Sequence, residues 1–202
     1  MIALSISIAP MTTLSCVLAT VNGGDLVRNI LVMGICGTGK TTLAGRLAER
    51  LSCAMIEADE HHAPEAIARM ARGDALTDVD RWGWLDRVGA AAHDTGVQTV
   101  IACSALKRAY RARLAERLGA LDIIFLHGTR SLVVARMSQR TAHYMPTSLI
   151  DSQLAVLELP EGQDVLPLDI ADPLDRMVDA AHDFATRPRQ SARPFIPQGG
   201  KP

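Results

Sequence analysis

The chain has 202 residues, 48% of them hydrophobic, and a formal net charge of −1, which is the size and apolar content of one compact domain. Near-neutral charge offers no global attraction for nucleic acid or an acidic membrane, so any anion bound here must be held by a local site. Four cysteines, Cys16, Cys36, Cys53 and Cys103, fall at neither metal-ligand nor redox spacing and read as reduced thiols of a cytoplasmic protein.

Residues 1–21, MIALSISIAPMTTLSCVLATV, carry no charge. No basic residue precedes Arg28, Pro10 interrupts the run and six Ser or Thr residues dilute it, which argues against a signal peptide or membrane anchor. A disordered extension over 1–28, or a true start at Met11, is expected instead. Strands are then expected at 29–33 (NILVM), 54–58 (AMIEA), 99–103 (TVIAC), 123–127 (IIFLH) and 165–169 (VLPLD). Between them fall helical stretches at 40–51, 63–71, 104–118, 131–141, 148–157 and 174–186. A further one opens on the T-x-x-D start signal of Thr77 and Asp80. Strands alternating with helices imply a parallel sheet covered on both faces, with ligands beyond the carboxyl ends of its strands. The closing segment 186–202 is rich in Pro, Arg and Gly and reads as a disordered tail, leaving 29–185 as the folded domain.

The stretch Gly34-Ile-Cys-Gly37-Thr38-Gly39-Lys40-Thr41 fits G-x-x-x-x-G-K-[ST], with a strand before it and a helix after. Glycine reaches φ > 0 without a Cβ clash, so successive amides can turn inward as a nest for phosphate oxygens, and the next helix adds its positive end. Lys40 then reaches the β and γ phosphates of ATP, and the Thr41 hydroxyl is placed to bind Mg²⁺. Thr38 and Thr42 complete the loop. Of 21 basic residues only three are lysines, Lys40, Lys107 and Lys201, which suggests that this position needs a compact ammonium. The alternative is a glycine-rich turn without a ligand.

Three further blocks, MIEADEHHAPEAIARMARGDALTDVDRWGWL, IACSALKRAYRARL and RTAHYMPTSLIDSQLAVLELP, resemble in order and spacing the gluconokinase family of P-loop small-molecule kinases. The resemblance runs over 29–185. It implies an α/β fold, a P-loop NTPase three-layer sandwich with a five-stranded parallel sheet and a helical lid, similar to shikimate and nucleoside monophosphate kinases. It also implies ATP-dependent phosphorylation of D-gluconate at its 6-hydroxyl by a cytoplasmic homodimer, with no nucleic-acid or membrane partner.

Glu57 and Asp59, two apart at the end of the second strand, are expected to face the same side at the carboxyl edge of the sheet. Glu57 is expected to orient Mg²⁺ and Asp59 to take the proton of the attacking hydroxyl. His62 falls on the family's D-x-x-H motif, which implies contact with substrate hydroxyls. Adjacent His61 raises a metal site, but no third ligand has a suitable spacing. Arg81, Lys107 and Arg111 would supply cations for a carboxylate substrate, the last two from one helix face. Arg136 and Arg140 resemble the lid arginines of this kinase group, which close over nucleotide, exclude water and place positive charge beside the moving phosphoryl group, Arg140 being expected to stabilise that charge in catalysis. Each cation could alternatively be an ordinary solvated surface charge.

The chain departs from the family pattern at Ala66, Arg69 and Gly83, where asparagine, lysine and proline are usual, so fine substrate geometry stays open. A kinase for another small hydroxy acid or a nucleotide, and a non-catalytic nucleotide-binding regulator, are the alternatives.

Overall fold

The computed structural model describes residues 28–72, 76–139 and 147–188. All of these fall in one compact unit spanning 27–188. The segments expected as terminal extensions lie almost wholly outside the described residues, as does Arg140.

Five strands, β1 (Asn29–Met33), β2 (Ala54–Glu57), β3 (Thr99–Ala102), β4 (Leu121–His127) and β5 (Val165–Asp169), form one sheet in the order β2-β3-β1-β4-β5. Every pairing is parallel. Central β1 is apolar throughout its last four residues because both of its faces are covered. Ile30 and Val32 join an apolar cluster with Leu43, Leu47, Ile124, Leu126 and Val178. Leu31 and Met33, turned the other way by the pleat, join Trp84, Leu85, Val88, Ile101 and Leu114.

Those clusters are the two interfaces of a three-layer sandwich. The first is closed by α1 (Lys40–Leu51) and α7 (Leu174–Thr186), the second by α3 (Asp78–Asp94) and α4 (Arg108–Leu118). The remaining helices are α2 (Pro64–Ala71), α5 (Arg130–Ser138) and α6 (Thr147–Val156). The chain leaves β1 toward one edge of the sheet and later returns on its other side as β4, so the topological switch point falls at the carboxyl end of β1, where the glycine-rich loop begins.

Local chemistry sets several boundaries. Thr77 caps α3 with a full capping box, its side chain accepting from Asp80 N while Asp80 returns a bond to Thr77 N. The helix expected from residue 104 begins only at Arg108. Ala105, with φ 39°, takes a left-handed conformation incompatible with an earlier helical start. At the opposite end of the sheet, fully buried Asp122 lies 3.6 Å from Arg28 and 3.2 Å from Arg187, fastening both ends of the described unit to β4. Among the described residues no helix is long and apolar enough to cross a membrane.

Candidate active site

The loop between β1 and α1 makes a tight reversal under the switch point. Gly34, at φ 147°, has no room for a side chain, since a Cβ there would lie 2.5 Å from the Leu126 carbonyl oxygen. Gly37, at φ 79°, packs under α5, and a Cβ would come within 2.6 Å of Met137 Cγ. Buried Thr38 closes the loop by donating to the Ile35 carbonyl at 2.8 Å. Helix α1 starts at Lys40 with no acidic residue in its first turn, leaving its positive end open to an anion.

Lys40 Nζ donates to the Ile35 carbonyl at 3.1 Å. Burial pushes its ammonium pKa down, opposed first by Asp59 and more weakly by Cys103, Cys36 and Glu57. A half-buried cation that feels the charges of Asp59 and Glu57 beside a glycine-lined loop suits a phosphoryl group between cation and base. Cys103, at the end of β3, is buried and its thiol is pushed up to about 12 by that burial, so it stays protonated. The strand beside β1 is followed by this thiol and Ser104 rather than by a metal-binding aspartate.

Glu57 ends β2, and its Oε2 accepts the Thr41 hydroxyl at 2.6 Å. Hydroxyl and carboxylate oxygens together suit a hard divalent cation such as Mg²⁺. The pleat does not carry Asp59 to the same side, as expected from sequence: β2 stops at Glu57, and a 3₁₀ turn over Ala58–His61 brings Asp59 round instead. The Asp59 amide donates to Glu57 Oε1 at 3.4 Å, and Asp59 is exposed, open to an incoming hydroxyl.

His62 lies flat on Trp84, with ring centroids 4.5 Å apart and planes 7° apart. Trp84 is itself pinned by Nε1 donating to the Ala58 carbonyl at 2.6 Å. Burial holds the His62 imidazole below its ordinary pKa, with Asp59 opposing. Its Nδ1 is buried with no hydrogen-bond partner. The neighbouring His61 carbonyl accepts from Arg87 Nε at 2.8 Å.

Arg81 and Lys107 meet around Asp78. Lys107 Nζ donates to Asp78 Oδ2 at 2.6 Å, Arg81 Nη1 to Oδ1 at 3.3 Å, and the Tyr110 hydroxyl to Oδ1 at 2.6 Å. The Lys107 bond holds the Asp78 carboxyl below the usual carboxylate range, and in return raises the Lys107 ammonium. Both cations also lie over the Tyr110 ring, at 5.9 and 5.6 Å.

Arg111 corrects the sequence expectation. Lys107 caps α4 rather than lying within it, and Arg111 is buried, its Nη1 donating at 3.1 Å to the carbonyls of both Ala105 and Leu106. The two cations thus do not offer a common helix face.

On the other side of the loop, Gly37, Thr38, Gly39, Thr42, Arg136, Leu174 and Met177 line a cleft of about 200 Å³. Arg136 is held across it by donating Nη2 to the Ile170 carbonyl. Sequence reasoning missed Leu174 and Met177, whose spacing reads only as a core-facing helix. It also missed Asp78, hidden inside the α3 capping signal, and Tyr110, whose position three residues after Lys107 was the available clue.

A phosphate-cradling loop at the switch point of this sheet, with a lysine and two acids at its mouth, defines a P-loop kinase. The sequence pattern of the AAA domain family matches residues 30–160. The gluconokinase of Gluconobacter oxydans (strain 621H) is 44% identical over 146 residues, covering 68% of this chain and 78% of that protein. The thermoresistant gluconokinase of Escherichia coli (strain K12) is 35% identical over 153 residues, covering 73% and 87%. A crystal structure of a gluconokinase from Sinorhizobium meliloti 1021 aligns with a TM-score of 0.73 at 41% identity, covering 79% of this chain and 91% of that one. The chain belongs to the gluconokinase family.

Proposed function

We propose that this protein is a gluconokinase that transfers the γ-phosphoryl group of ATP to the 6-hydroxyl of D-gluconate, giving 6-phospho-D-gluconate and ADP. The observation that carries this is the meeting, at one sheet edge, of Lys40 in the phosphate loop with Asp59 and the Trp84-stacked His62. Loop amides of Gly34, Gly37, Thr38, Gly39, Lys40, Thr41 and Thr42 cradle the phosphates, and Lys40 neutralises charge on the group in transit. Thr41 and Glu57 would hold Mg²⁺, which when bound would neutralise phosphate oxygens. Asp59 accepts the proton of the 6-hydroxyl as that oxygen bonds to phosphorus and the bond to the departing ADP oxygen breaks.

His62 Nδ1, buried and without a partner, is matched to a substrate hydroxyl. Arg81 and Lys107 are matched to the gluconate carboxylate, with Asp78 and Tyr110 fixing both cations in advance. Arg111 supports that set from behind, through the backbone of residues 105–106. The cleft walled by Arg136, Leu174 and Met177 fits the nucleoside end of ATP, apolar side chains meeting the base and Arg136 the phosphates. Arg140 completes the proposal as the second lid cation. We place the enzyme in the cytoplasm, on the free thiols of Cys36, Cys53 and Cys103, and as a homodimer, on the family resemblance.

Steady-state assays coupling ADP release to a panel of sugar acids, with ATP and Mg²⁺, test this reading. Turnover on D-gluconate well above that on other acids is expected. Turnover on a different acceptor alone would transfer the assignment to another hydroxy acid, a reading favoured at one point by Arg69, which pairs with Asp80 at 3.0 Å at the head of α3. ATP binding with no turnover on any acceptor would favour a regulator.

A further inference from the structure

Helix α6 touches both halves of the site. At one point Gln153 Oε1 accepts the backbone N–H of Cys36, inside the phosphate loop, at 2.7 Å and across 117 residues of chain. Two residues past its C-terminal end, Glu158 clasps the loop that carries Lys107: Glu158 N donates to the Leu106 carbonyl at 2.9 Å, and the Glu158 carboxylate accepts from Arg108 N. That amide is one of the donors left open at the start of α4, so Glu158 caps the helix from a distant part of the chain.

The strut between these contacts is anchored. Ile150 on α6 is fully buried in one apolar cluster, and Leu157, directly before Glu158, packs against both. The segment it clasps is strained, with Ala105 at φ 39° and the Leu106 carbonyl shared between Glu158 N and Arg111. A non-glycine residue stays in that conformation only where its surroundings over-determine it, and here Glu158 and Arg111 do so. Cys36 also meets the neighbouring helix, its Sγ lying 3.6 Å from Met137 Sδ, so the loop tip is gripped from α5 and α6 together.

We propose that Gln153 and Glu158 are positioning residues that join the phosphate loop to the Lys107 loop through α6, so that a nucleoside triphosphate seated in the first orders the second. Gln153, by accepting the Cys36 amide, ties the tip of the phosphate loop to α6. A loop tightened by phosphate therefore holds α6 more firmly, and α6 holds residues 105–108 more firmly in turn. The proposal rests on the phosphate-loop reading above, but not on the identity of the sugar acid.

Hydrogen–deuterium exchange of the full chain, with and without Mg²⁺ and a non-hydrolysable ATP analogue, tests it. In the wild type the analogue is expected to slow exchange several-fold over 104–111 as well as over 34–42. In Gln153→Ala and Glu158→Ala the protection over 34–42 persists and that over 104–111 is lost, whereas Glu158→Gln, which keeps an oxygen acceptor, retains both. Wild-type exchange over 104–111 that ignores the analogue while 34–42 is protected, or alanine variants that transmit protection unchanged, would overturn the proposal. Failure of the wild type to phosphorylate gluconate would remove the assigned substrate while leaving this exchange result to stand or fall alone.

Discussion

The Thr41 hydroxyl donates to Glu57 Oε2 at 2.6 Å, joining the start of α1 to the end of β2 across the mouth of the phosphate loop. Both oxygens come from element ends, so their spacing is fixed in advance of the Mg²⁺ proposed to bind them. Glu57→Gln keeps an acceptor but removes the charge. The Mg²⁺ concentration for half-maximal rate should rise about 10- to 100-fold, measured by titrating Mg²⁺ at saturating substrates. An unchanged titration would take Glu57 out of the metal site.

In the proposed reaction Asp59 and Lys40, whose charges influence one another, bracket the group to be transferred. Asp59→Asn should lower kcat by about 10²- to 10⁴-fold, the span of a general base, with ATP affinity by calorimetry little altered. Lys40→Met should lower kcat by about 10²- to 10³-fold. Full activity in Asp59→Asn would mean that another group takes the proton.

Gly37→Ala asks for two things the loop refuses, a side chain at φ 79° and space within 2.6 Å of Met137 Cγ. The substitution should cost about 1–3 kcal/mol in urea unfolding and weaken ATP binding. Adding Met137→Ala should recover only the steric share, leaving the backbone strain. Recovery of full stability in the double variant would show that the dihedral angle costs nothing.

The pH dependence of stability separates His62 from the carboxylates. Burial holds the native His62 pKa below the unfolded value of about 6.5, so as pH falls past that point the unfolded chain takes up a proton that the native state refuses. Stability should therefore be full above about 6.5 and decline as pH drops toward the native value. In His62→Phe, which keeps the stack on Trp84, that decline should vanish. Asp78 and Asp80, whose native pKa values are lowered chiefly by Lys107 and Thr77 respectively, act in another window, their stability present above the ordinary carboxylate value and lost below it. Urea titrations at intervals of pH measure both. A decline undiminished in His62→Phe would place its source elsewhere.

Asp122 is fully buried beneath Arg28 and Arg187 at the end of the sheet far from the phosphate loop. Asp122→Ala should cost about 1.5–3 kcal/mol, the worth of a hydrogen bond to a charged group, without changing KM for either substrate. A shift in KM would mean that the two ends of the sheet communicate.

How much could be read beforehand depended on how local each feature is. The phosphate loop was legible residue by residue, because its glycines, Lys40 and Thr41 are consecutive and their spacing alone dictates a nest at a helix start. Helices α1 and α7 were placed to the residue by their periodicity and end signals. Helix α4 was drawn four residues too long, since nothing in the sequence around 104–107 shows that Arg111 and Glu158 hold Ala105 left-handed. Arg111 was taken for a substrate contact for a related reason. A lone arginine looks the same on paper whether its guanidinium meets solvent or buried carbonyls.

By itself, then, the amino-acid order determined the strand and helix succession, the anion-binding loop and the family. Short-range backbone sterics and apolar periodicity act within a few residues and need no knowledge of distant segments. Only the tertiary structure decided that Asp78 occupies Arg81 and Lys107, that His62 is stacked and its Nδ1 left without a partner, and that Gln153 reaches Cys36. Apart from the i, i+3 pair of Asp78 and Arg81 on α3, each of these is set by which side chains the parallel sheet brings together from positions some 20 to more than 100 residues apart, where local propensity carries no information.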